Sequence, residues 1–310
     1  MTASKSKTFS KVLRCVAIIA VIYVVASFIA TKIIYDFCFE RYDPDSSGSI
    51  ENSIPCSFSC GENTLRGYLV NPELNEKDAI VVIAAGYRSL CSVYSPIIDS
   101  FASSGYGVFI FDCTGSAQSE GDSAVGFAQE VLDLDAALTY IEENDTFGYS
   151  DILLFGHSRG GLAVCCMERY GHSISAVVSV NGINSPMEGT MLPAVNYVGN
   201  FAYSNYPILK LYQVFLFGVD VMSYDAAEFL SATDTPSLII HSSDDELVSS
   251  ERFSIISHRD EIHSENVEFE ESFKGSSDGS HLGVLFGEDG CANAELMATV
   301  TEFYDRAITD

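Results

Sequence analysis

Basic residues are scarce in this 310-residue chain: 16 Lys and Arg stand against 43 Asp and Glu, for a formal net charge of −27. Such a surface repels phosphate backbones and anionic headgroups, which argues against nucleic acid as a partner. Tryptophan is absent altogether, so the chain has no intrinsic indole signal. There is no internal repeat and no low-complexity tract, which excludes solenoids and collagen-like or compositionally disordered folds. Nine cysteines occur, an odd number, and none of their spacings resembles a zinc site. Cys56 and Cys60 look like a pair, but four residues along a strand separate Cα atoms by about 13 Å, beyond disulfide reach. So many unpaired thiols in an exported chain point to a reducing or anoxic niche.

Charge is also missing locally. Residues 1–35 hold five basic and no acidic residues, and Cys15 to Ala30 are apolar apart from Ser27. The apolar run resumes beyond Thr31 and Lys32 with Ile33, Ile34 and Tyr35. As a helix it is roughly 30 Å long, enough to cross a bilayer. Lys5, Lys7, Lys11 and Arg14 precede it, so the positive-inside rule puts residues 1–14 in the cytoplasm and everything after the 15–35 span outside. A cleaved signal peptide, with Val24 and Ala26 as weak cleavage determinants, is the rival reading; the run is longer than a usual signal core. Residues 36–50, with Asp43, Pro44, Asp45, Ser46, Ser47, Gly48 and Ser49, read as a polar spacer.

Residues 51–310 read as one α/β domain. Two strands near 53–59 and 64–70 are followed by an alternation of apolar strands and amphipathic helices. The strands are Ala79 to Ala85, Gly107 to Phe111, Ile152 to Phe155, Ile174 to Val180, Ser237 to Ile240 and Val267 to Phe269. Helical spacing recurs at 94–103, 127–141, 162–170 and 296–307. Uniformly apolar strands between such helices predict a mostly parallel central sheet covered on both faces. The stretch from 182 to 235 breaks the rhythm and is rich in Tyr and Phe; an insertion of that length predicts a helical cap. Its aromatics are expected to pack the cap rather than define a substrate pocket.

Gly156, His157, Ser158, Arg159 and Gly160 form a G-x-S-x-G sequence where a buried strand ends and a helix begins. A serine there sits on a strained turn with its hydroxyl raised above the sheet edge. It needs a base to take its proton and a carboxylate to orient that base. In sheets of this kind the chain order is Ser, acid, His. Asp244 and Asp245 follow the strand ending at Ile240. Of six histidines, His281 alone is both last in order and in a Gly/Ser-rich loop, with Gly279 and Ser280 before it. His157 lies on the elbow pointing elsewhere, and the other histidines read as surface or packing residues.

These features resemble the α/β-hydrolase superfamily, in particular its membrane-anchored bacterial branch close to the monoacylglycerol-lipase and serine-aminopeptidase type. The similarity covers roughly residues 60–308. It rests on Ala85, Gly86, Tyr87; on Phe111 to Gly115 with Ser119, Glu120, Gly121; on the elbow; on His241 through Val248; and on His281. The resemblance places Ser242 at the family's strand-closing glycine and Val248 at its valine, which selects Asp245 over Asp244. It implies an oxyanion hole made by the backbone N–H groups of Tyr87 and Arg159. Ala85 stands where relatives usually have histidine, and Arg159 where they often have an apolar residue; the Arg159 side chain either pairs with a helix acid or reaches the cleft.

The expected activity is hydrolysis of an ester-type acyl substrate with no cofactor and no metal, by Ser158, Asp245 and His281. Peptidase or aminopeptidase activity and acyl transfer use the same triad. A noncatalytic, membrane-tethered binding module is the alternative from another class.

Overall fold

The computed structural model describes residues 2–42, 50–71, 76–144, 148–276 and 280–309, the side chains of residues 2–10 and 280 excepted. Seven residues of the predicted 36–50 spacer (Asp43 to Ser49) and Gly279 of the base loop lie outside the described residues. A single helix, α1 (Thr2–Cys38), opens the chain. Its segment Lys11–Cys38 is long and apolar enough to cross a membrane. Asp36 to Cys38, read from sequence as spacer, continue this helix.

The strands are β1 (Ser53–Cys60), β2 (Asn63–Val70), β3 (Ala79–Ala84), β4 (Gly107–Phe111), β5 (Asp151–His157), β6 (Ala176–Val180), β7 (Ser237–Ile240) and β8 (Val267–Glu270). They form one sheet in the order β1-β2-β4-β3-β5-β6-β7-β8. The β1–β2 and β2–β4 pairs are antiparallel and all others parallel. Between them run α2 (Ser95–Ser103), α3 (Gln129–Glu143), α4 (Arg159–Cys165), α5 (Pro186–Val198), α6 (Tyr206–Val221) and α7 (Ala226–Ala232), and after β8 come α8 (Ser280–Gly283) and α9 (Ala294–Ala307). The helix after the elbow is shorter than the 162–170 spacing implied: α4 stops at Cys165, and Met167–Tyr170 is a 3-10 turn.

Every residue of β3, β4, β6 and β7 is buried, because helices cover both sheet faces. One core packs β3, β4 and β5 residues such as Val82, Phe109 and Leu154 under α3 and α4; the other packs Val81, Ile110 and Phe155 under α2 and α9. A third cluster lies above the sheet edge, where Tyr35 and Phe39 at the end of α1 and just beyond it meet Met187, Met191 and Tyr212 of the cap. The 182–235 insertion is helical throughout most of its length, but Ala226, Ala227 and Leu230 of α7 belong to the sheet core. The cap is therefore α5, the 3-10 segment Gly199–Asn205 and α6. All nine cysteines are free.

β3 is the strand at which the order reverses, with β4 on one side and β5 on the other. A crevice opens at the carboxyl ends of strands at such a switch point. Ala84, the last residue of β3, pairs with Gly156 of β5, so the loop after β3 and the turn after β5 start side by side.

Candidate active site

Ser158 follows β5 and precedes α4, and its φ of 57° and ψ of −113° lie outside the regions ordinary residues favour. Holding a non-glycine residue there costs on the order of 1–3 kcal/mol. The surroundings enforce it. A Cβ at Gly160 would lie 2.0 Å from the Ala84 carbonyl oxygen, and one at Gly156 would lie 2.3 Å from the Gly160 carbonyl oxygen. Only glycine lets helix α4 approach β3 and β5 this closely. The Ser158 N–H is bonded to the Val180 carbonyl at 2.9 Å, which ties the turn to β6.

The structure brings Ser158, Asp245 and His281 together. His281 Nε2 is 2.8 Å from Ser158 Oγ, and His281 Nδ1 is 2.6 Å from Asp245 Oδ2. A carboxylate oxygen only accepts, so Nδ1 carries the ring proton and Nε2 is free to accept from the serine. Asp245 spends its other oxygen on the backbone N–H groups of Leu247 and Val248, both at 2.9 Å. Its side chain has no solvent exposure. Asp244 points away: its Oδ1 accepts from Gly275 N and Ser242 Oγ, and those hydrogen bonds, the Gly275 N–H first, hold its carboxyl below the usual range.

Arg159 opens α4, so its N–H is one of the first-turn donors a helix leaves without an intrahelical acceptor. Tyr87 follows Gly86 on the loop after β3, and Gly86, Tyr87, Ser158 and His281 all line one cavity. The Arg159 side chain does not enter the cleft. It is 1% exposed and lies 2.5 Å from Glu130 Oε2 on α3, itself fully buried, with its guanidinium 5.7 Å from the Tyr87 ring centre. Burial is the largest influence on the Arg159 charge and works against it, but Glu130, Cys113, Tyr42 and Asp133 together outweigh it and raise the pKa. Burial raises Glu130, and Arg159 opposes that rise. Cys113, Glu130 and Asp133 come close enough to hold a cation. Asp133 is already bonded by Thr114 N, Thr114 Oγ1 and Gln129 Nε2, and Glu130 accepts from Cys113 Sγ and is ion-paired with Arg159. The cluster is a buried brace behind the elbow.

Sequence reasoning missed three residues. His157, expected to point elsewhere, places Nε2 3.0 Å from the His281 carbonyl oxygen and Nδ1 3.0 Å from Tyr94 Oη. The carbonyl only accepts, so Nε2 is protonated and Nδ1 accepts from Tyr94, whose hydroxyl in turn accepts from Gly86 N at 2.7 Å. This relay joins the loop after β3 to the backbone of His281. It needs a neutral ring, and burial, with the nearby His281, pushes His157 down to about 3. Asn181, after β6, donates to the same His281 carbonyl and accepts from Ser242 N. His241 reaches the Val248 carbonyl and braces the acid loop. The adjacency of His157 to the serine and of Asn181 and His241 to strand ends was the available signal; which atoms they meet was not in the sequence.

The cavity above Ser158 has a volume of about 810 Å³ and is lined mainly by apolar side chains. Among the described lining residues there is no carboxylate, and Arg88 is the one charged group. Contrary to the sequence reading of the cap aromatics as packing residues, Tyr197 and Phe201 line this cavity.

Residues 75–214 match a family model described as serine aminopeptidase, S33. No curated protein matches the chain. Among solved structures, an esterase of Pyrococcus furiosus, Pf2001, is 20% identical over 86% of this chain and 94% of its own, with a TM-score of 0.60. The α/β hydrolase GrgF from Penicillium sp. is 16% identical over 83% of this chain and 99% of its own, TM-score 0.60. Est1E from Butyrivibrio proteoclasticus, solved with ferulic acid bound, is 16% identical over 82% of this chain and all of its own, TM-score 0.56. Sheet order, elbow and these likenesses agree: the chain is an α/β hydrolase by fold.

Proposed function

We propose that this protein is a membrane-anchored serine hydrolase that cleaves carboxylic esters through an acyl-enzyme. Ser158 attacks the carbonyl carbon while His281 Nε2 takes its proton. Asp245 holds the imidazole and stabilises the imidazolium that forms. The N–H groups of Arg159 and Tyr87 receive the oxyanion, an interaction worth several kcal/mol in a dry site. His281 returns the proton to the leaving alcohol; water then attacks the acyl-enzyme by the same steps.

The observation that carries this reading is the continuous Ser158–His281–Asp245 relay, at 2.8 and 2.6 Å, facing an apolar cavity. An aminopeptidase needs a carboxylate to hold its substrate's amine. The described cavity lining offers none, which favours an ester over an aminoacyl amide despite the family description. A binding module has no use for a buried acid, an oriented imidazole and a strained serine in line. Anchoring is supported by the apolar length of α1, and the basic residues before it favour a cytoplasmic N-terminus with the domain outside.

A fluorophosphonate probe is expected to label the protein and not Ser158→Ala; equal labelling of the variant rejects the nucleophile. Protease added to intact cells is expected to digest the domain; protection inverts the topology.

A further inference from the structure

The cavity above Ser158 is not enclosed by the hydrolase domain alone. Thr31, Ile34, Tyr35 and Cys38 of α1, with Phe39 beyond it, form part of its wall. Met191, Leu192, Tyr197, Phe201 and Leu209 of the cap form the facing part. The anchor is docked there by specific contacts. Asn205 Nδ2 donates to Thr31 Oγ1 at 2.8 Å, Tyr212 Oη donates to Asp36 Oδ1 at 3.1 Å, and the Tyr87 hydroxyl donates to the Cys38 carbonyl. Tyr35 and Tyr212 pack edge to face at 5.1 Å.

Only one stripe of α1 is docked. Thr31, Tyr35 and Phe39 recur every four residues and are buried, while Ile29, Ile33 and Phe37 at the same level are exposed. From residue 11 to residue 26 every side chain is exposed. The apolar skin continues from α1 onto the cap, where Tyr197 is 89%, Phe215 79% and Phe201 76% exposed. Contiguous apolar surface of this kind is covered by something. A span of residues 15–35 rises about 31 Å, close to the ~30 Å of bilayer hydrocarbon. The pocket-lining end of α1 therefore lies at the level where acyl chains meet their ester carbonyls.

We infer that the leaflet opposite the N-terminus covers this apolar skin, and that the substrate is a long-chain acyl ester taken sideways from that leaflet into a pocket whose wall is the anchor helix itself. This rests on the membrane-anchored serine-hydrolase reading above. α1 is then a substrate-binding element as well as a tether: the chain lies between α1 and the cap, and the carbonyl reaches Ser158 without crossing water.

The test uses the full-length protein in phosphatidylcholine vesicles. Its kcat/KM is measured for p-nitrophenyl palmitate carried in the vesicles and for p-nitrophenyl butyrate in the buffer. Ile34→Trp on α1 and Ala194→Trp on α5 are expected to lower the long-to-short ratio at least tenfold. Because the chain has no tryptophan, Phe201→Trp provides a single fluorophore, expected to lose about half its emission when the vesicles contain brominated acyl chains. A ratio within twofold of the parent in both wall variants, or emission untouched by bromine, overturns the inference. A parent labelled at Ser158 that cleaves the butyrate but ignores the palmitate overturns it while sparing the hydrolase reading. Failure of labelling and of both cleavages removes the hydrolase reading, and the inference with it.

Discussion

The sheet and the cap draw on the same stock of apolar residues and dispose of them differently. In β3, β4, β6 and β7 every residue is buried, each apolar side chain finding a partner within the domain. In the cap, Tyr197, Phe201, Phe215 and Val219 face outward, and the buried stripe of α1 is needed to complete what core there is. The sheet is thus a closed structure whose strand ends hold Ser158, His281 and Asp245 in hydrogen-bond contact. The cap is an open one, its core completed by α1 and its outer apolar side chains left exposed. In the proposed function, chemistry belongs to the first region and access to the second.

Substitutions separate the two. Ser158→Ala at the sheet edge is expected to lower kcat by on the order of 10⁵-fold or more, read as ester hydrolysis with binding of the substrate retained. Asp245→Asn strands His281 in the wrong tautomer and is expected to cost about 10⁴-fold, while Asp244→Asn stays within about threefold; the reverse result moves the acid by one residue. Glu130→Gln leaves the buried Arg159 charge uncompensated and is expected to cost about 3–5 kcal/mol of stability, measured by urea unfolding.

His157→Gln disturbs the Gly86–Tyr94–His157–His281 relay and is expected to lower kcat about tenfold with KM little changed, since it moves His281 and the loop after β3 more than the apolar wall of the cavity. Stability should respond too. The folded pKa of about 3 lies below the ordinary value near 6.5. The unfolded chain takes up its proton first, so the His157 contribution is complete above about pH 6.5 and is lost as pH falls toward about 3. The variant is expected to flatten that part of the pH–stability curve. The smallest effect belongs to the cap clamp, where His258 sits 3.2 Å from Glu188 of α5 and 3.0 Å from Glu261. His258→Gln is expected to change unfolding free energy by less than about 1 kcal/mol, as partly exposed ion pairs do.

The legible parts were those written in local pattern. Ala79 to Ala85 read as a buried strand because the whole run is apolar, and Ile174 to Val180 because only two small serines interrupt it; G-x-S-x-G after an apolar run read as an elbow because only glycine tolerates those close approaches. Asp245 needed more than pattern, since two adjacent aspartates satisfy the same order; the resemblance chose between them. The helix after the elbow was overread because Met167 to Tyr170 keep helical spacing while tightening into a 3-10 turn. α7 was grouped with the cap because chain length between strands does not say which layer a helix joins. The spacer was read as beginning at Asp36, yet Asp36 and Lys32 pair along one helix face and the helix continues to Cys38.

The sequence by itself determined the strand–helix alternation, the strained serine and the apolar N-terminal helix, because each follows from side-chain size, polarity and spacing over a few residues. Only the tertiary structure decided that Arg159 turns inward to Glu130, that His157 and Asn181 share the His281 carbonyl, and that Thr31 and Tyr35 of α1 wall the cavity over Ser158. These are meetings of residues far apart in the chain, and they are set by how the sheet, the cap and α1 pack together.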